Sequence, residues 1–374
     1  MPNEVFIYDA IRVPTGKKGG YYKNILSEDL VAFLIDALLE RNGNFAKGIT
    51  EVVLGNSIGT LGNMSRYAGL KSYLGKDLRA STVDLQCGGT YQSLRFAKSL
   101  ISSGEATKVI AGGMESNSLM PTRVYNKNDP RYINNSHVKV ANFAPISQYD
   151  LLESAEKLAT KYGVGKSEMT EWALQSHLKA VKYSRLPIYR QYVIPFSAKA
   201  IIDQTIKENL TIAMLERLSK NSLIDRTNTA DYHDGAGILL LSNAQDDQVR
   251  PLCKILDIEI IGIDPDQSPE GCVIAAEKLL YKNGIGLAEI DFFEINESFA
   301  CKPIAFAKHF DLPLGNINTL GGNLSMGHPY AASGVINLMN LISTLKLNKK
   351  KYGLVSAGIA GGFGAAVLIE NVFC

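Results

Sequence analysis

Two periodicities organise the chain. Val5, Phe6, Ile7 and Tyr8 form an unbroken apolar run, as do Val52, Val53 and Leu54 and the residues from Val109 to Ala111. Each reads as a buried strand. The intervening segments follow helical spacing instead. Residues 27–41 (SEDLVAFLIDALLER) put Leu30, Phe33, Leu34, Ala37 and Leu38 on one face, with Ser27 as the expected N-cap and acids in the first turn. Residues 64–73 also read as helical. In residues 91–101 the positions Tyr91, Leu94, Ala97, Leu100 and Ile101 recur at three and four, and Ser102, Ser103 and Gly104 supply the stop. Strands alternating with helices predict an α/β fold around a parallel sheet with helices on both faces.

The alternation breaks between about residues 117 and 231. Polar, loop-like stretches such as NKNDPRYINNSHVK (126–139) are interspersed there with helical ones at 153–162 and 166–183, the second carrying Trp172. This segment reads as an insertion or lid, and the strand pattern resumes at residues 236–241. The last third then repeats the order of elements of the first. Residues 291–296 form a strand ending in an asparagine, as residues 51–56 do. Some thirty residues later each half has a glycine-flanked functional group opening a helix, Cys87 in one and Gly327-His328-Pro329 in the other. Each ends on a strand running into glycines, at 109–113 and at 354–364. The expected organisation is a first half over 1–116, completed by part of 232–245, then the inserted segment over 117–231 and a second half over 246–374.

A chain of 374 residues with 46% hydrophobic and 20% charged residues is ordinary for a globular protein, and a formal net charge of +2 gives no reason to expect a nucleic acid or an anionic membrane as partner. No apolar run approaches membrane-spanning length. The N-terminal MPNEVFIYDA lacks the basic-then-apolar order of a signal peptide. The five cysteines are scattered and form no Cys-x-x-Cys pair, and the five histidines form no His-x-x-x-His. Neither a disulfide framework nor a metal is expected, and the reading is of a cytoplasmic protein in a reducing compartment.

Candidate chemistry converges on three residues. Cys87, in VDLQCGGTYQ, falls at or just before a helix N-terminus, where exposed amides and the helix dipole favour a thiolate. Gly88 and Gly89 leave room for an acyl group to approach backbone N–H donors. A buried cysteine also serves simply as a small core hydrophobe. His328 lies in GGNLSMGHPYAASG (321–334), with Pro329 setting the helix start, and is either a base or a structural loop histidine. Asn296, in NESFA, holds a water, orients the imidazole, or caps a helix. The run GIAGGFG (358–364) offers unhindered N–H groups for an oxyanion, or makes a tight strand-to-strand turn. Two packed α/β halves would bring Cys87, Asn296 and His328 to one cleft at the carboxyl ends of their strands. A cysteine and a histidine far apart in sequence are the usual equipment for covalent acyl transfer, with the thiolate attacking and the imidazole moving the proton.

Together these motifs resemble the thiolase family across essentially the whole chain. CGGTYQ (87–92) stands where thiolases carry the nucleophile in Cys-x-Ser-Gly-x-Gln. GGMES (112–116) looks like the family's Gly-Gly-Met-Glu-Ser, residues 296–300 resemble Asn-Glu-Ala-Phe-Ala, and residues 321–334 are similar to Gly-Gly-x-x-x-x-Gly-His-Pro-x-Gly-x-Ser-Gly. The N-terminal residues 6–20 and the helix around 155–159 also fit. The resemblance implies a thiolase-like pair of duplicated α/β units, two mixed sheets sandwiching helices, with an inserted loop domain. It implies a coenzyme A thioester as substrate with no bound cofactor, an acyl-Cys87 intermediate in acetyl-CoA C-acyltransferase chemistry of lipid metabolism, and His328 as the base. One oxyanion hole would consist of His328 and a water held by Asn296, and a second of the N–H groups of Cys87 and Ala360. Arg217 matches a position near the coenzyme A adenine, and a homodimer or homotetramer is expected.

One departure changes the chemistry. The family's glycine run opens with a second cysteine, which removes the α-proton of the second thioester; here that place is Gly358. The nucleophile motif also loses its serine, to Gly89. Loss of a positioned acid/base group costs on the order of 10²–10⁴ in rate. Three functions follow: thiolase-type transfer with the base supplied by another group such as Glu297 or a water; an acyltransferase that avoids α-proton abstraction, by decarboxylative condensation or by another acceptor; and a non-catalytic subunit that binds acyl-CoA.

Overall fold

The computed structural model describes residues 4–59, 62–133, 149–244 and 249–373. The first half runs β1 (Val5–Arg12), β2 (Gly16–Lys17), α1 (Ser27–Asn42), β3 (Glu51–Gly55), α2 (Met64–Lys71), β4 (Arg79–Val83), α3 (Gly89–Ser102) and β5 (Lys108–Ser116). Four helices follow, α4 (Leu151–Lys161), α5 (Lys166–Ser184), α6 (Pro187–Tyr192) and α7 (Ile212–Leu218), before β6 (His233–Ser242) returns to the first half. The second half is β7 (Cys253–Gly262), α8 (Gly271–Asn283), β8 (Phe292–Ile295), α9 (Cys301–Phe310), α10 (Asn323–Met326), α11 (Ser333–Asn348), β9 (Tyr352–Ile359) and β10 (Phe363–Asn371). The stretch 134–148, part of the polar segment singled out above, lies outside the described residues, as does Cys374.

The strands lie in the order β4-β3-β5-β6-β1-β7-β10-β9-β8, with β2 against β6. Only β3 with its neighbours β4 and β5, and β8 with β9, pair in parallel. The strand-helix alternation therefore predicts a sheet more parallel than the one observed; β1, β6, β7 and β10 are antiparallel to every strand they touch. The two half-sheets meet edge to edge, where Val5, Phe6 and Ile7 of β1 pair with Ile255, Lys254 and Cys253 of β7.

The period of two along each strand sorts side chains into layers. On β3, β5 and β6 the residues Val52, Leu54, Ile110, Ile238 and Leu240 pack with Leu30, Leu34 and Leu38 of α1. Their alternates Val53, Val109, Ala111, Leu239 and Leu241 pack with Leu94 and Ala97 of α3 and Val335, Leu338 and Met339 of α11. In the second half Val355, Ala357 and Val367 join that same central cluster, whereas Leu354, Ala366 and Leu368 face α8 and α9. The result is five layers, helix-sheet-helix-sheet-helix, with α3 and α11 in the middle; α11 is buried from Ser333 to Leu345, whereas α3 leaves Arg95, Phe96 and Ser99 exposed. Each of those two helices starts at a functional loop, so the central layer presents Cys87 and His328 side by side. The inserted helices are shared between outer layers, since Ala155 and Leu158 of α4 pack with α9, and Tyr189 and Tyr192 of α6 with the central cluster.

The five helices bounded from the sequence, α1 to α5, each start within two residues of the expected position. Helix α1 begins with Ser27 as its first helical residue; the flanking extended residue is Leu26, which offers no side-chain cap. The run of residues 354–364 is not one strand. Ile359 ends β9 and Phe363 begins β10, and the hairpin turn between them puts Gly361 and Gly362 at φ of 90° and 77°, a region that only glycine enters without strain.

Candidate functional site

Cys87 sits in a single 3-10 turn, residues 86–88, that leads into α3. The preceding Gln86 is held at φ 50°, an unfavourable angle for a residue with a Cβ. Its backbone N–H donates to Asp84 Oδ1 at 2.8 Å, which fixes the corner. Gly88 packs on Ile359 of β9 and Gly89 on Ala331, so this turn of the first half is wedged against the end of β9 and the loop before α11, both of the second half. Glu115 braces the same seam. Its carboxylate accepts from Asn56 Nδ2 at 2.9 Å, the N–H groups of Ser57 and Ile58, and Ala331 N–H across the interface. Burial nonetheless pushes that carboxyl up to about 8.

Cys87 is half-buried, while Cys253, Cys272 and Cys301 are buried. The helix-terminus argument favours a thiolate at Cys87, but the larger effect is desolvation. Burial raises the thiol to about 11, against the opposing pull of the neighbouring Lys302. At rest Cys87 is therefore a thiol, and attack by its sulfur would require a base.

His328 is buried, and its Nε2 is a polar atom without a hydrogen-bond partner among the described residues. The ring is fixed from its other nitrogen. Ser333 Oγ lies 2.7 Å from Nδ1, and Asn296 Nδ2 lies 3.4 Å away. Ser333 can donate to Nδ1 or accept from it, so both neutral tautomers are accommodated: one leaves Nε2 as a base, the other as a donor. Burial, with Lys302 and His233 adding repulsion, lowers His328 to about 3 and keeps the ring neutral. The backbone N–H of His328 donates to Nδ1 of His233 at 3.0 Å, which places the proton of that neutral ring on Nε2.

Asn296 has zero exposure. Its Oδ1 accepts from Ser298 N–H at 3.2 Å and from Lys302 Nζ at 3.1 Å, which settles the amide orientation. Its Nδ2 donates to Asn323 Oδ1 at 3.0 Å and faces His328 Nδ1 and Asn337 Oδ1. With its hydrogens committed in this way, Asn296 orients the imidazole; a water at its amide would have to displace one of these bonds. Asn323, Asn337 and Ser333 complete the network; Ser333 is the serine of the motif over residues 321–334, whereas Asn323 and Asn337 carry no sequence signal beyond being polar.

Around Gly358 the geometry is restrictive. A Cβ added there would lie 2.4 Å from Pro269 O and 2.5 Å from Ser268 O, both backbone atoms. Gly358→Cys is thus expected to destabilise the protein by about 1–3 kcal/mol, the usual cost of overpacking, and to add no carbon–carbon bond-forming activity. Urea midpoints and acetoacetyl-CoA thiolysis check this; a gain in thiolysis at unchanged midpoint would contradict it. Glu297, the other group weighed as a base, is fully engaged. Its carboxylate accepts from Trp172 Nε1 at 2.9 Å, Ser176 Oγ at 2.8 Å, Asn318 Nδ2 at 2.7 Å and Leu324 N–H at 3.1 Å. It ties α5 to the second half.

A cavity of about 360 Å³ opens beside the site, with His233 in its wall and Lys17, Lys18, Lys207 and Arg226 around it. None of these four cations is in an ion pair among the described residues. Burial first, then Lys17 and Arg226, depress Lys207. Asp231, also in the wall, offsets part of this charge and opposes the fall at Lys207; the remaining positive excess favours an anion. Arg217 is exposed on α7; Leu215 and Leu218 of that helix line the cavity and Arg217 does not. Ala360 is buried in the turn after β9. Among the described residues no cluster of three or more His, Cys, Asp or Glu could hold a metal ion, and no helix is long and apolar enough to cross a membrane.

A duplicated α/β scaffold holding a half-buried cysteine and a neutral imidazole in the loops that lead into two central helices defines an acyl-transferring enzyme. The chain belongs to the thiolase family: the model of the thiolase N-terminal domain matches residues 5–245 and that of the C-terminal domain residues 249–371. It is 30% identical to the putative acetyl-CoA C-acetyltransferase YhfS of Bacillus subtilis (strain 168), over 97% of this chain and 98% of that protein. It is 31% identical to a probable acetyl-CoA acyltransferase of Staphylococcus aureus (strain COL), over 98% and 99%. The fold superimposes on the Bacillus anthracis acetyl-CoA acetyltransferase with a TM-score of 0.91 at 27% identity, covering 99% of both chains. Human mitochondrial 3-ketoacyl-CoA thiolase in complex with CoA gives 0.89 at 27% identity, covering 99% of this chain and 98% of that one.

Proposed function

We propose that the protein transfers acyl groups between coenzyme A thioesters through an acyl-Cys87 intermediate, as an acetyl-CoA C-acyltransferase. The observation that carries this reading is the free Nε2 of a buried, neutral His328 at the start of the layer that also presents Cys87. In the Nε2-unprotonated tautomer it takes the Cys87 proton as the sulfur attacks the thioester carbonyl. Afterwards the Nε2–H donates to an oxyanion, with the N–H groups of Cys87 and Ala360 as the second pair of donors. The four cations of the cavity suit the phosphates of coenzyme A, and His233 connects that cavity to His328.

Incubation with acetyl-CoA should add one acetyl mass to the intact protein, with the modified peptide containing Cys87. Absence of the adduct would end this reading. The blocked space at Gly358 favours a second one, acyl transfer without α-proton abstraction, for instance to a carbanion generated by decarboxylation of a malonyl thioester. Condensation with malonyl-CoA but not with acetyl-CoA would select it.

A further inference from the structure

Lys302 is the second residue of α9 and has zero exposure. Such burial of a lysine is rare without a carboxylate partner, yet among the described residues Lys302 makes no ion pair. Its Nζ instead lies 3.0 Å from Gly358 O, 3.1 Å from Asn296 Oδ1 and 3.0 Å from Ser298 Oγ. The nitrogen is thus held on the backbone of the residue that replaces the family's second cysteine, and on the amide that orients His328. Ser298, which stands where the family motif has alanine, is half-buried and forms the outer end of the pair. Burial lowers the lysine; the groups facing it are the thiols of Cys272 from α8, Cys87 ahead of α3 and Cys301 on its own helix, with neutral His328 across the site.

We propose that Ser298 and Lys302 together form the proton acceptor for the α-carbon of the second thioester, in the role of the base that Gly358 lacks. The inference rests on the thioester-transfer reading above. The partner chemistry fits both charge states of the nitrogen. As a neutral amine it donates two hydrogens to carbonyl oxygens, those of Gly358 and Asn296, and accepts the Ser298 hydroxyl proton on its lone pair. As an ammonium it has three donors for the same three oxygens. In the forward step the α-C–H bond breaks and its proton passes to Ser298 Oγ as the Ser298 proton moves to Nζ. The carbon's electron pair forms the new bond to the acyl carbon on Cys87, the C–S bond breaks, and Cys87 leaves as a thiolate. The ammonium then returns its proton to that sulfur through Ser298. No other reactant is consumed.

The test separates this step from acylation. In D₂O the wild type should exchange the methyl hydrogens of acetyl-CoA for deuterium, with a rate that rises with pH to a plateau. Ser298→Ala and Lys302→Met should lower that exchange by on the order of 10²–10⁴, while in Ser298→Ala acetyl-Cys87 still forms within about tenfold of the wild-type rate. Lys302→Arg keeps a charge that does not titrate and should lose exchange as Met does. Should the Lys302 variants fail to fold by circular dichroism, Ser298→Ala and its flattened pH profile carry the test. Exchange that survives in Ser298→Ala, a fully active Lys302→Arg, equal loss of exchange and acylation in Ser298→Ala, or a wild type that forms the adduct without exchange would each overturn the proposal. A wild type that forms no adduct would instead overturn the acyl-transfer reading itself.

Discussion

Cys87→Ala is expected to give a folded protein that gains no mass from acetyl-CoA and loses acyl transfer by on the order of 10⁴–10⁶, the scale on which removal of a covalent nucleophile acts. The substitution deletes one sulfur from a half-buried turn, so the thermal midpoint should move little. The other cysteines offer no substitute. Cys253, Cys272 and Cys301 are buried, and burial raises Cys272 to about 11 and Cys301 to about 12. Intact-mass spectrometry after exposure to acetyl-CoA, followed by peptide mapping, reads the result. An acetyl adduct of undiminished amount in the variant would place the nucleophile elsewhere.

The second large effect belongs to the base. His328→Ala should slow acylation of Cys87 by on the order of 10²–10⁴ near neutral pH, and the loss should depend on pH in a definite direction. In the wild type the acid-side change is expected as pH falls through about 3, not through the 6.5 of a free imidazole, because the folded ring resists protonation. The thiol ionises only toward about 11. Between these limits a neutral thiol faces a neutral base, and the wild-type rate should be flat. Without the base only pre-formed thiolate attacks, so the variant's rate should climb about tenfold per pH unit through the alkaline range and approach the wild type near the thiol's own ionisation. Acylation rates between pH 6 and 10 distinguish the two profiles; a variant profile flat and parallel to the wild type would remove His328 from the proton transfer.

The layered scaffold could be read from the chain because its signals are local. An apolar run between turn residues, as at Val52 to Leu54, makes a strand wherever it is buried, and the spacing of Leu30, Leu34 and Leu38 makes a helix whatever it packs on. What joins the halves could not be read in that way. The strand β7, whose Asp257 and Glu259 interrupt its apolar residues, lacks the plain run that marks the others, and its pairing with β1 depends on residues far away in sequence. The same holds within the site. The positions of Cys87, His328 and Asn296 were marked by glycine-flanked or motif-bearing stretches, whereas Lys302 was not: a lysine in a helix is ordinarily a solvent-facing residue, and only the folded chain shows its nitrogen on Gly358 O. Helical spacing could not link Lys302 to Ser298 either, because Ser298 lies in the bend ahead of α9 and only Lys302 is in the helix. The thiolate expected at Cys87 was outweighed because a terminal helix turn supplies a modest field, and removal of a charge from water costs more.

Strand β1 occupies the seam of the ten-stranded sheet, with β6 on one side and β7 on the other. Both neighbours, β6 (His233–Ser242) and β7 (Cys253–Gly262), come far later in the chain than β1 (Val5–Arg12), so β1 acquires them only after the long stretch between has been made. Until then two sticky edges of the nascent chain lack their mates, a situation that slows maturation and invites off-pathway association. Slow recovery from denaturant is the expected outcome of placing β1 at the centre of the sheet.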